Sequence, residues 1–367
     1  MNELAQLSRK LLPALYDPSS SLFAQKATYS AEGIRPTGSN PLYSAIALIG
    51  LHSDRYDDRA VDAIPVDMTL DALFELTTTG TCSAGMLAAT TWAMSAAHDP
   101  RAAQLFGLLE SRFDVRSSSS ADLGLLLAAL AIASDAGLDA LDPTAGLGVA
   151  ATRELLSRFY ERAQLFEGSG RGLRPRRLLD WNLTSFASQV YPIHGLARYA
   201  GATGTDLPEE ALRAADRVVE LQGPLGQWWW IYSLRDGSVV EPYPVYSVHQ
   251  DAMAFMALAP VQNLGLRTYE RELSRGLSWL YGSNELQTPL IDLERLVVSR
   301  CIQRRGADAD GGWGMSSSQR RATRLSSWGL ASRRSLLVSR DELEILEEAR
   351  PYHLGWALYA RSLILTW

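Results

Sequence analysis

The stretch that decides the fold is Gln222 to Pro260, QGPLGQWWWIYSLRDGSVVEPYPVYSVHQDAMAFMALAP. Gln222 to Trp230 is a glycine-punctuated turn carrying Trp228, Trp229 and Trp230 in succession. From Tyr243 to Ala259 the chain passes from polar and aromatic residues (Tyr243, Tyr246, Ser247, His249, Gln250, Asp251) to almost wholly apolar ones within one helical length. A helix of that composition has one end open to a wet cavity and the rest buried on all sides. Between the two parts, Trp228 to Tyr232 and Ser238 to Pro242 flank Arg235-Asp236-Gly237, the pattern of a short β-hairpin through an Asp-Gly turn.

Working outward, charged amphipathic segments alternate with Ala/Gly/Leu-rich ones. Asn2 to Tyr16 has Leu4, Leu7, Leu11, Leu12 and Leu15 at helical spacing, and a loop, FAQKATYSAEGIRPTGSNP, leads into the apolar LYSAIALIGL of Leu42 to Leu51. Outer segments Leu70–Thr77, Arg101–Phe113, Pro143–Arg162, Pro208–Leu221, Leu266–Tyr281 and Asp341–Ala349 each precede an inner one, among them Ile291 to Gln303 and YHLGWALYARSLIL. Tyr43 to Cys82 is 39 residues and Cys82 to Ala121 is 39 again. A helix-pair period of that size signals a repeat array. Inner helices apolar all round, with polar residues gathered at one end, fit closure into an all-α, α/α toroid with a short β-hairpin insertion, a single domain over residues 1–367, better than an open solenoid. The spacing predicts about five to seven hairpins.

At 367 residues and 47% hydrophobic composition the chain buries a large core. A net charge of −6 argues against nucleic acid as a partner. The arginines of Gly170–Arg177 and Gln319–Arg324 read first as solvated loops, with anion binding as the lesser reading. Cys82 and Cys301, far apart in sequence, read as buried free thiols and not as a metal pair. The charged amino terminus lacks a secretory core and no run reaches the ~20 apolar residues of a membrane span. The expectation is a cytoplasmic protein, with peripheral membrane contact left open.

Two turns carry a family resemblance. Gln222-Gly-Pro-Leu-Gly226-Gln-Trp228 has the form Q-x3-G-x-W, and Asp310-Gly-Gly-Trp313-Gly314 precedes Ser326-Ser-Trp328-Gly-Leu-Ala-Ser332. Both resemble the QW motifs of squalene–hopene and oxidosqualene cyclases. Tyr246-Ser-Val-His249-Gln250 and Tyr352-His353 are similar to inner-helix starts of protein prenyltransferase β subunits. The chain thus resembles the terpenoid cyclase/protein prenyltransferase toroid superfamily, best over Gln222 to Trp367. It departs from the family in its chemistry. The D-x-D-D of class II cyclases and the DDxxD diphosphate motif are absent, Asp308-Ala-Asp310 and Asp54-Arg-Tyr-Asp57-Asp58 are neither, and no Cys joins Asp251 and His353 for a zinc site.

The expected catalytic residues are Asp251, His249, Tyr246, His353, His194 and Asp310, with Asp251 a general acid held by a His or Tyr partner. Each singly also reads as a structural polar group. Trp228, Trp229, Trp230, Tyr232, Tyr243, Tyr191, Tyr352 and Trp313, with Trp181, are the expected substrate-binding aromatics, suited to a carbocation or a sugar ring, or to turn packing. No metal is expected in the site and no cofactor is required, with Mg²⁺ left open. The first functional expectation is a terpenoid-cyclase-like enzyme acting on a prenyl substrate by acid-initiated cyclisation. The second is a carbohydrate-active toroid (uronate epimerase, polysaccharide lyase or glycosidase) using Tyr/His/Asp acid–base chemistry. The third is a non-catalytic binding toroid. An enclosed apolar cavity would mark the first, and an opening lined by Arg, Tyr and carboxylates the second.

Overall fold

The computed structural model describes residues 1–30, 32–54, 63–137, 146–170, 183–307 and 338–364. Asp310, Trp313, Trp181, the second arginine cluster and all but Gly170 of the first lie outside the described residues.

Among the described residues, outer and inner helices alternate along the chain. The outer set is α1 (Asn2–Leu11), α3 (Val66–Thr79), α5 (Ala102–Arg112), α7 (Gly146–Leu156), α9 (Glu209–Glu220) and α11 (Glu270–Leu280). The inner set is α2 (Pro41–Ser53), α4 (Ala84–Ala96), α6 (Ser120–Asp135), α8 (Ala187–Thr203), α10 (Ala254–Asn263, entered through a π-turn at His249–Met253) and α12 (Pro351–Ile364). The outer helices bury one stripe; in α9 it is Ala211, Ala214, Ala215 and Val218, at the three-and-four spacing of one helix face. The inner helices are buried nearly all round, as in α6 from Leu123 to Ala131.

Each inner helix packs on the next: α2 on α4, α4 on α6, α6 on α8, α8 on α10, α10 and its π-turn on α12, and α12 back on α2. The ring therefore closes. Glycines set two of these contacts. A Cβ on Gly50 would stand 2.1 Å from the carbonyl oxygen of Gly355, and one on Gly124 would stand 2.1 Å from that of Tyr191. The backbones of α2 and α12, and of α6 and α8, touch directly. At the α2–α12 seam Asp54 binds Arg9 and Arg361 in a buried ion group that also ties down α1.

Strands decorate one side of this ring, so "all-α" holds only approximately. The expected hairpin is present: Ile231–Ser233 pairs with Val239–Glu241, Gly237 has φ +72°, and Leu183–Ser185 adds a third strand. The segment expected as a loop after Leu22 is instead a hairpin of Leu22–Ser30 with Gly33–Ser39. Two expected helices are also strands. Within Ile291–Gln303, Ile291–Asp292 pairs with Val297–Val298, and Cys301–Arg304 lies between Val245–Tyr246 and Leu343–Leu346. Leu343–Leu346 belongs to the expected outer helix Asp341–Ala349, whose Glu348–Ala349 pairs with Ala27 and Thr28. β-Branched Val297, Val298 and Ile302 suit pleated surfaces, and cross-strand partners override the helix-favouring Glu and Leu of the later segment.

Candidate functional site

The inner helices begin at one end of the ring. Asn40 caps α2 by accepting from Tyr43 N at 3.1 Å, Ser83 caps α4 through Met86 N, and Ser119 with Asp122 forms a capping box on α6. The residues set just inside these caps are half-buried Tyr43, Met86 and Asp122, joined by Tyr191 of α8 and Tyr352 of α12. The Tyr43 and Tyr352 rings lie 4.6 Å apart, and Tyr352, Tyr43 and Asp122 all lie within electrostatic reach of Tyr191. Asp122 accepts from Ser119 N and Oγ through Oδ2, while its Oδ1 occupies the place a Cβ on Gly85 would fill. This tyrosine-lined mouth with one carboxylate is the candidate site. Tyr246, behind it, carries the Arg300 guanidinium over its ring at 5.5 Å and meets Trp230 edge-on. Burial pushes the Tyr352 hydroxyl up to about 12, so it stays protonated at neutral pH.

Below the mouth the axis is filled. Trp356 Nε1 donates to the Tyr191 hydroxyl at 3.0 Å, and the Trp356 ring packs on Trp92 at 5.6 Å. Trp92 stacks on His194 and meets Tyr359 edge-on at 5.0 Å. Trp92, His194 and the Trp356/Tyr359 pair come from α4, α8 and α12, which are alternate members of the ring and not neighbours. Side chains from alternate helices meet only at the centre. From Tyr352 down to Trp356 is about 6 Å at 1.5 Å per residue.

The predicted residues do not gather in one place. Tyr191 and Tyr352 face the mouth together. Asp251 and His353 are joined: His353 Nε2 donates to Asp251 Oδ2 at 2.7 Å, linking the π-turn to the first turn of α12. Burial lifts the Asp251 carboxyl above the usual carboxylate range, opposed by the imidazole. His194 lies in the plug and not at the mouth. Its Nδ1–H donates to Met256 O at 2.9 Å, so its Nε2 accepts from the Tyr359 hydroxyl at 3.1 Å, and burial lowers its pKa to about 3. His249, also lowered to about 3 by burial, packs between Phe186 and Tyr246 with Nδ1 3.4 Å from Trp228 O.

The remaining aromatics hold turns. Trp228 is fully buried against Gly276, and Gln222 Nε2 donates to the carbonyls of Gly226 and Glu272, fastening the Gln222–Trp228 turn to α11. Tyr232 donates to Trp229 O; Tyr243 and Trp279 donate to the carboxylate of Glu285. Sequence reading missed Tyr43, Asp122, Trp92, Trp356 and Tyr359. The available signal was position: Tyr43, Met86 and Asp122 each fall three residues after an Asn or Ser cap. Among the described residues no cluster of three or more His, Cys, Asp or Glu is placed to hold a metal, and no helix is long and apolar enough to cross a membrane.

No protein-family model matches the chain, and neither does any curated protein sequence. Solved structures do share its fold. An unsaturated glucuronyl hydrolase from Streptococcus agalactiae is similar over 100% of this chain and 90% of its own, with TM-score 0.57 and 10% identity. A cellobiose 2-epimerase from Spirochaeta thermophila is similar over 88% of this chain and 94% of its own, with TM-score 0.55 and 15% identity. The ent-copalyl diphosphate synthase from Streptomyces platensis matches 89% of this chain at 14% identity and TM-score 0.49, and the chain spans 52% of its length. The fold is thus an α/α toroid of the kind found in several enzyme classes.

Proposed function

We propose that the chain is a carbohydrate-active enzyme that receives one end of a saccharide at the tyrosine-lined mouth, with Asp122 as the acid–base carboxylate. The observation that carries this reading is the packing of Trp92, His194, Trp356 and Tyr359 across the ring axis about one helical turn below the rim. A polyene folding into rings needs an enclosed apolar cavity, and among the described residues aromatic side chains meet across the ring axis. Among the described residues, the end of the ring where the inner helices begin gathers three half-buried tyrosines and a carboxylate. Such a surface suits a ligand with an apolar ring face and many hydroxyls: tyrosine rings cover the face, while hydroxyls and the carboxylate exchange hydrogen bonds with the edge. Glucuronyl hydrolase and cellobiose epimerase on the same fold agree with this class of ligand.

Thermal shift with cellobiose, glucuronic acid and geranylgeranyl diphosphate, each with and without Mg²⁺, tests the reading. A saccharide at 100 times its Kd stabilises the chain by about 2.7 kcal/mol through mass action. The expected outcome is a rise in Tm with a saccharide and none with the diphosphate. Stabilisation by the diphosphate alone sinks the proposal and restores the terpenoid reading. Once a turned-over saccharide is found, Asp122→Asn, which keeps the shape of the carboxylate, is expected to lower kcat by about 100-fold or more while leaving the fold intact.

A further inference from the structure

The hydrogen-bond arithmetic around Tyr191 leaves one proton to be placed. An indole nitrogen only donates, so in the 3.0 Å contact between Trp356 Nε1 and the Tyr191 hydroxyl the tyrosine oxygen is the acceptor. Its own O–H must therefore point away from Trp356, which is fully buried one helical turn further along α12. Among the described residues that O–H meets no acceptor, although Tyr43, Tyr352 and Asp122 all lie near enough to act on it electrostatically. Little freedom remains to the residue itself. The carbonyl of Tyr191 sits where a Cβ on Gly124 would be, so direct backbone contact between α6 and α8 fixes its position.

We infer that Tyr191 is the directed hydrogen-bond donor of the mouth, aimed by Trp356 at an acceptor oxygen of the bound ligand. This rests on the saccharide reading of the same site and adds a specific demand to it: the ligand presents an ether, carbonyl or hydroxyl oxygen, and not only an N–H or O–H donor, toward α8. Trp356 is then a positioning residue. It does not touch the ligand, yet by occupying one lone pair of the Tyr191 oxygen it selects one rotor of the hydroxyl in advance. The benefit is preorganisation, since a hydroxyl already aimed loses no rotor freedom on binding.

The test uses the full chain with ¹⁵N-labelled tryptophan and reads the indole N–H signals, that of Trp356 being identified by its loss in Trp356→Phe. Tyr191→Phe keeps the ring and removes the oxygen. It is expected to move the Trp356 signal upfield and to lower Tm by a few degrees, because a buried indole N–H loses its acceptor; an unmoved signal overturns the aimed hydroxyl. Cellobiose and glucuronic acid are then titrated into both forms. The expected result is saturable movement of the Trp356 signal in the unmutated chain, with affinity about five-fold weaker in Tyr191→Phe, the scale of one neutral hydrogen bond. Equal affinity in the two forms overturns Tyr191 as donor and leaves the saccharide reading standing. No saturation by either sugar overturns both.

Discussion

At the residue scale the histidines give the sharpest expectation. His194 and His249 are neutral in the fold because each is buried, with pKa lowered from 6.5 to about 3. Unfolded, each takes a proton near pH 6.5. Between these values the unfolded chain binds more protons, so stability is full above pH 6.5 and falls as pH drops toward 3. Each histidine removes roughly 1.5 kcal/mol between pH 6.5 and pH 5. Urea unfolding at the two pH values checks this, with His194→Gln expected to recover one histidine's share of the slope; an unchanged slope removes His194 from the account. The same scale shows what sequence could reveal of the site. Asp251 and His353 were legible because a carboxylate and an imidazole at the polar ends of apolar helices stand out, and they do form a pair. Asp122 was not, because an acidic residue three positions after Ser119 reads as half of a helix cap, which it also is.

At the scale of elements, three glycines with different surroundings separate packing from propensity. Gly50→Ala would drive a methyl group into the backbone of Gly355 and prise α2 from α12; a loss of about 3 kcal/mol or more is expected in urea unfolding. Gly226→Ala meets both a φ of +97° and the Arg275 carbonyl, and is expected to lose at least the ~1–3 kcal/mol of the backbone strain. Gly107, exposed in the middle of α5 with nothing within 4 Å of where a Cβ would stand, should gain about 0.5–1 kcal/mol as alanine. A loss at Gly107 would mean that α5 is held by something other than its helix. The alternation of outer and inner helices was legible because burial on one face and burial on all faces leave different periodicities. The strands were hidden for a complementary reason. Leu343–Leu346 carries Glu and Leu in helix-like composition and becomes β only because Cys301–Arg304 offers it an edge, a partner some forty residues away.

At the scale of the whole molecule, closure and the aromatic plug act together. Trp92 is fully buried where α4, α8 and α12 converge. Trp92→Ala is expected to cost about 3–5 kcal/mol by leaving a void there. It should also deepen the mouth, so that a ligand too long for the native opening binds the variant; a variant that loses stability without binding longer ligands would show that the void collapses. The plug also governs traffic. A ring with a blocked bore is a cup, and its contents arrive and depart by the same lip. If the proposed ligand is the end of a long saccharide, it cannot be drawn through to the far side, and each event is followed by release and a new search for an end. On the proposed saccharide reading, action on long chains is therefore expected to be distributive: a surplus of fresh chains added mid-reaction would capture the protein, and shortening of the original chains would all but stop.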